Sequence, residues 1–182
     1  MPEGAAPDTK NRSFTVTAEV EIPEGGAEGV LITQGGRFGG WGLILIDGKP
    51  EFVHSFSQQP QHKYRVASKE RLTPGKHTIH VDIAYNGPGM GKSATGTLSV
   101  DGKQVAQGDI ERTIPLRFSL DETMDVGEDT GTPVVEDYVD KMPFEFTGTL
   151  EKVVLQLGKS GLTASDESGL EAADAKLAAV RD

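Results

Sequence analysis

Two Asp-Gly pairs, each inside an alternating apolar run, constrain the fold of this chain more than any other feature. They lie in Leu43-Ile44-Leu45-Ile46-Asp47-Gly48-Lys49 and Thr97-Leu98-Ser99-Val100-Asp101-Gly102-Lys103. Asp-Gly supplies the two positive-φ residues of a two-residue hairpin turn, so each run is expected to fold back on itself. The same period of two recurs elsewhere. Phe14, Val16, Ala18, Val20 and Ile22 alternate with polar residues, the pattern of a strand with one wet face. Further strand signals cover residues 29–34, 41–46, 51–56, 64–67, 76–85, 95–107 and 147–157, with a short one at Phe118 and Leu120. Gly- and Pro-containing turns separate them, and no helical period intervenes. That succession predicts an all-β, antiparallel two-sheet jelly-roll sandwich over residues 11–158. Its core should hold Val16, Val20, Leu31, Leu43, Leu45, Ile79, Val81, Ile83, Leu98, Val100 and Val153, which share one phase of the alternation.

Outside the sandwich, residues 1–10 read as a flexible arm or linker, rich in Pro, Gly, Ala and Asp. Residues 159–182 form a tail of another kind. Leu170, Ala173, Leu177 and Val180 recur at helical spacing, and Ser168 with Glu171 forms a capping-box signature. A short C-terminal helix or a disordered tail is expected there.

At 182 residues the chain has the length of one domain, and with no Cys it has neither disulfides nor thiolate chemistry. The net charge is −10. Most of such a surface repels a phosphate backbone, and the basic residues are scattered along the chain. Neither nucleic acid nor a membrane is therefore expected as a partner. No stretch approaches the roughly 18 apolar residues of a membrane span. The first residues lack the basic and apolar regions of a secretory signal, which makes a cytoplasmic location the default expectation.

Gly87-Pro88-Gly89-Met90-Gly91-Lys92-Ser93 superficially resembles a phosphate-binding loop. Asn86 stands where that pattern needs its first Gly, and a strand signal follows where it needs a helix, so the segment reads as a strand connection. His77 and His80, three apart on a strand, point to opposite faces and cannot share a metal. His54 and His62 flank a turn without an evident carboxylate or serine companion. The stretch from Asp121 to Asp140 contains Asp121, Glu122, Asp125, Glu128, Asp129, Glu136, Asp137 and Asp140 and no Lys or Arg. Hard oxygen ligands on a Gly-containing loop suit Ca²⁺, with Asp121, Asp125 and Asp129 the expected side-chain ligands if an ion binds. A solvated acidic loop, or Asp side chains capping turn amides, accounts for the same residues.

Several phrases resemble the carboxy-terminal domain of large bacterial arylsulfatases. They include Thr17-Ala18-Glu19-Val20-Glu21-Ile22-Pro23, Gln34-Gly35-Gly36-Arg37-Phe38-Gly39-Gly40-Trp41 and Pro74-Gly75-Lys76-His77. Asp125-Val126-Gly127-Glu128-Asp129-Thr130-Gly131-Thr132-Pro133-Val134 and Phe146-Thr147-Gly148-Thr149-Leu150 continue the series in order. The resemblance covers roughly residues 11–158 and implies a concanavalin-like or laminin-G-like jelly roll. It carries over no catalytic residue. Thr113-Ile114-Pro115-Leu116-Arg117 has the Pro and Arg of a sulfatase formylglycine motif but begins with Thr, whose oxidation gives a ketone.

The expectation is a non-catalytic module that packs against a protein partner or a tethered sulfatase-like domain. Phe38 and Trp41, on a Gly-rich loop, are the candidate contact residues. The alternative is a lectin-like carbohydrate-binding module using Trp41, Phe52, Phe56 and Tyr64 as an aromatic platform. A glucanase would need paired carboxylates across a groove, for which Glu19 and Glu21 are the candidates; a solvated strand face explains them more simply.

Overall fold

The computed structural model describes residues 1–118 and 123–181. Ten strands form two antiparallel five-stranded sheets. The first sheet has the order β10 (Thr149–Ser160), β1 (Arg12–Ile22), β6 (Gly75–Tyr85), β7 (Ala94–Val100) and β8 (Lys103–Ile110). The second has the order β5 (Lys63–Ala67), β4 (Lys49–Ser55), β3 (Gly39–Ile46), β2 (Gly29–Gly36) and β9 (Met124–Val126). This is the expected sandwich. A short strand forms at Met124–Val126; of the short strand expected at Phe118 and Leu120, Phe118 lies outside any strand and Leu120 falls outside the described residues.

The hairpin turns form as their sequence requires. Asp47 and Gly48 take φ of 51° and 74°, and Asp101 and Gly102 take 52° and 79°. Asp101 also braces its hairpin: its carboxylate accepts the Thr78 amide at 2.8 Å and faces His77 Nδ1 at 2.7 Å. The Thr78 amide, then burial acting against it and His77, hold that carboxyl below the usual range.

Between the sheets lies one core of Phe14, Val16, Leu31, Trp41, Leu43, Leu45, Phe52, Ile79, Val81, Ile83 and Leu98 among others. Val100 and Val153 are only half-buried, a departure from the expected core. Val100 closes a strand end beside the turn, and Val153 lies on edge strand β10, where a neighbour is missing on one side.

β2, β3 and β4 are buried on both faces. The segment 127–148 accounts for this, because it crosses the outer face of the second sheet and sets Val134, Val135, Tyr138 and Phe144 against Val30, Ile44 and Val53. Its 3-10 helix Glu136–Lys141 is tied at several points. Arg37 meets Glu136 at 3.4 Å, Arg65 meets Asp137, and Lys141 meets Glu28 at 2.6 Å. The acidic run is thus largely a lid for the sheet, attached by alternating apolar and charged residues.

The tail takes the helical form that its spacing allowed, and the amino terminus is tied to the sandwich. Residues 1–10 pack onto the sandwich: Pro2 bridges Thr123, and Thr9 is buried with its hydroxyl donating to Gln34 Oε1 at 2.9 Å. The tail is a helix, α1 (Ala164–Arg181). Its capping box lies five residues earlier than expected, at Thr163 and Asp166. The Thr163 amide donates to Asp166 Oδ2 at 2.8 Å and the Asp166 amide to Thr163 Oγ1 at 3.2 Å, while Ser168 merely donates back to Ala164 O. No helix among the described residues is long and apolar enough to cross a membrane.

Candidate functional site

One end of the sandwich gathers the β2–β3 turn at Arg37 and Phe38, the β4–β5 connection, the β6–β7 connection and the segment after β8. Buried polar bonds stitch these loops together. Asn11 is the hub, donating from Nδ2 to Pro115 O at 2.6 Å and accepting the Gly91 amide on Oδ1 at 2.9 Å. Thr113 donates to Lys92 O at 2.8 Å, fixing the β6–β7 connection to the segment after β8. Ser55 and Lys63 both donate to Arg37 O, at 2.9 and 2.7 Å, and so hold the β2–β3 turn. A Cβ added at Gly39 would sit 2.8 Å from Phe118 O, so glycine there lets the turn lie directly on the neighbouring loop.

This fixed rim carries apolar tips beside cations. Phe38 is 56% exposed, Leu116 60% and Met90 38%. Arg112, Arg117 and Lys92 are exposed among them, and Arg112 stands 5.9 Å over the Phe56 ring. The loops at the opposite end mix Glu24, Glu28, Asp47, Glu70 and Asp101 with Lys49, Lys69, Arg71, Lys76 and Lys103, and at the rim Glu111 is exposed next to Arg112. Rings and aliphatic tips next to guanidinium groups suit a ligand with both apolar faces and negative charge.

Trp41 does not belong to this surface. It is fully buried, stacked on Phe52 at 5.9 Å and tilted against Phe14 at 5.2 Å, and its Nε1 donates to Thr9 Oγ1 and Gln34 Oε1, each at 3.0 Å. Its expected contact role is corrected: the strand phase that points Leu43 and Leu45 inward points Trp41 inward as well. Phe52 and Tyr64 are buried too, so the four-aromatic platform does not assemble. Phe38 stays exposed at the tip of the turn.

The proposed metal ligands are placed as follows. Asp121 lies outside the described residues. Asp125 Oδ2 accepts the Thr130 amide at 3.0 Å and hydroxyl at 2.6 Å. Burial pushes that carboxyl upward, but these bonds, with Thr123 and the Met1 amino group, outweigh it and hold it below the usual range. Asp129 is buried, its two oxygens accepting the Gly131 amide at 3.1 Å and the Tyr138 hydroxyl at 2.7 Å. That hydroxyl in turn accepts the Val134 amide at 2.8 Å. Asp125 and Asp129 thus engage their oxygens with turn amides and hydroxyls, the capping role that an acidic loop also allows.

Two histidines have chemistry that the sequence did not disclose. His62 Nδ1 lies 2.8 Å from Ser57 Oγ, a serine companion five residues away. The Gln59 amide donates to the same oxygen at 3.2 Å, which makes the pair a brace for its own loop. His54, buried beneath the rim, is pushed down to about 4 by burial and then by the charge of Lys63. Burial likewise lowers Lys63 to about 8, against the pull of Glu136. Glu51 beside Arg65, at 3.0 Å, is raised by burial despite that partner. Glu19 and Glu21 stand on the solvent face of β1, and the 86–93 connection leads into β7, as a strand connection should.

No protein-family model matches the chain, and no curated protein matches it in sequence. Solved structures do match in fold. Domains LG4–5 of the mouse laminin α1 chain match at 14% identity and a TM-score of 0.51, over 85% of this chain and 38% of that one. The LG1–3 region of the laminin α2 chain matches at 14% identity and a TM-score of 0.57, over 84% and 30%. The CBM40 of the Ruminococcus gnavus IT-sialidase, bound to α2,3-sialyllactose, matches at 12% identity and a TM-score of 0.52, over 86% and 80%. The chain therefore spans well under half of each laminin fragment but most of the CBM40 unit. At such identities the likeness is one of fold, and the fold is a laminin-G-like, CBM40-like jelly-roll sandwich.

Proposed function

We propose that this chain is a non-catalytic recognition module whose contact surface is the stitched loop rim, and that its ligand is an acidic carbohydrate. The observation that carries the reading is the rim itself: Phe38, Met90 and Leu116 exposed beside Arg112, Arg117 and Lys92 on a chain of net charge −10. Exposed apolar groups and cations side by side bind sugars through ring stacking and charge-assisted hydrogen bonds to carboxylate or sulfate. The CBM40 neighbour, with a bound sialylated sugar, supports the ligand class. Titration calorimetry with sulfated, carboxylated and neutral oligosaccharides tests it. Acidic sugars should bind and neutral ones should not, and Arg112→Ala with Arg117→Ala should weaken binding about tenfold or more. Equal binding of neutral sugars, or indifference to both substitutions, would refute the assignment.

A second reading rests on the ordered phrases between residues 11 and 158 that resemble the arylsulfatase carboxy-terminal domain. In it the rim docks on a sulfatase-like hydrolase, tethered or separate, with Phe38 as the anchor. Phe38→Ala would then abolish protein association while no sugar bound. In both readings the chain by itself should not turn over a chromogenic aryl sulfate, because it has no Cys and none of its serines has the Pro two residues on and the Arg four residues on of a formylglycine motif.

A further inference from the structure

Beneath the loop rim the two sheets leave a cavity of about 20 Å³, with apolar walls from Phe14, Ile83, Ile110 and Phe118. Arg12, from β1, and His54, from β4 in the facing sheet, both line it. Arg12 Nε and His54 Nε2 are buried, and among the described residues neither has a hydrogen-bond partner. His54 as a whole is only 6% exposed. The other polar side chains of the lining are engaged. Trp41 Nε1 donates to Thr9 and Gln34, the Tyr85 hydroxyl to Gly89 O and the Thr113 hydroxyl to Lys92 O. Two unsatisfied polar atoms from opposite sheets therefore share one closed space, and leaving such atoms unpaired is costly.

We infer that this cavity binds one monatomic anion of the halide class, held between the Arg12 guanidinium and the His54 ring. Size, sign and hydrogen-bond character together select that ligand. A space of about 20 Å³ admits one water-sized occupant, for which about 10–15 Å³ suffices, and is too small for a phosphate, a sulfate or a sugar. The charged side chains that line it are Lys10 and Arg12, and among the described residues no Asp or Glu does so. Lys10 has Asp8 at 2.8 Å, whereas no described carboxylate is paired with Arg12. Arg12 Nε only donates, and His54 Nε2 donates in the tautomer that carries its proton there, so the two atoms offer hydrogens to an acceptor. A water in their midst would leave one or both of its own hydrogens facing the apolar walls. A monatomic anion has no hydrogens to place, and it supplies the counter-charge that a partly buried guanidinium requires. The ion goes beyond the rim's proposed sugar ligand: it lies under the loops and ties the two sheets together where that surface rests on them.

Crystals of the whole chain grown in sodium bromide, with diffraction recorded at the bromine absorption edge, test the inference directly. An anomalous peak between Arg12 Nε and His54 Nε2 is expected. Water density there, or bromide at surface positions alone as an adventitious ion only, would overturn it. Melting in solution gives an independent reading, with sodium chloride compared against sodium gluconate at equal ionic strength. Chloride should raise the melting temperature saturably, by about 3 °C at tenfold excess over its Kd, and gluconate, too large for the cavity, should not. Arg12→Gln changes a half-buried residue at a strand end and should abolish the chloride response while melting remains cooperative. Equal responses to chloride and gluconate, or an R12Q protein that responds to chloride as the wild type does, would also overturn the inference. Should R12Q fail to fold, the bromide map of the wild type decides alone.

Discussion

Acid should destabilise this protein through His54 before its carboxylates protonate. The side chain is fully enclosed, and burial together with nearby Lys63 pushes it from the ordinary 6.5 down to about 4. In the unfolded chain it takes a proton near 6.5, so between those two values the unfolded state binds more protons than the folded one. Stability then rises with pH across this window; the contribution is complete above about 6.5 and is lost as pH falls towards 4. The fall from 6.5 to about 4, at about 1.4 kcal/mol per pH unit, makes the full loss about 3.5 kcal/mol. That is a large share of the 5–15 kcal/mol typical of a domain. Urea unfolding at pH 7.0, 5.5 and 4.5 measures it, with His54→Gln as the reference because it keeps a polar side chain and cannot titrate. The wild type should lose stability relative to H54Q as pH falls, and the gap isolates His54 from Glu51, whose raised value acts in the opposite direction. Parallel stability curves for the two proteins would refute the reasoning.

Tyr138→Phe should cost about 1–3 kcal/mol in urea unfolding, since it removes the hydroxyl joining buried Asp129 to the Val134 amide. Gly96→Val should cost at least as much, because even a Cβ there lies 2.8 Å from Val66 Cγ2 in the closed core; Gly75→Ala would be a poor control, its φ being 118°. Thr163→Ala should loosen α1 by about 1 kcal/mol through loss of its cap, visible as faster amide exchange at residues 165–167 and not in the strands.

The sandwich was legible because its signals are local. Asp47-Gly48 and Asp101-Gly102 specify their turns without reference to the rest of the fold, and the alternation of Leu43, Leu45, Ile79, Val81 and Leu98 marks one buried face. Trp41 could have been placed by the same rule, since it shares the phase of Leu43; reading its Gly-rich surroundings as a loop obscured that. The lid over the second sheet was hidden by composition. Val134, Val135, Tyr138 and Phe144 lie in an acidic run without strand or helix period, so nothing local says that they cover Val30, Ile44 and Val53. The stitched rim was hidden by distance: Asn11 reaches Pro115 and Gly91, contacts between residues roughly 80 to 100 apart that no local pattern announces.

Recognition at the loop rim is the central claim, and an amide chemical-shift titration with a sulfated oligosaccharide tests it most directly. Shifts should concentrate at residues 36–39, 90–92 and 111–117, around Phe38, Lys92, Arg112 and Arg117, and should weaken with added salt as a charge-assisted contact does. The acidic loops at the far end and the solvent face of β1, with Glu19 and Glu21, should stay silent. Saturable shifts centred on that β1 face or on the far loops, or no shifts at millimolar sugar, would contradict the account.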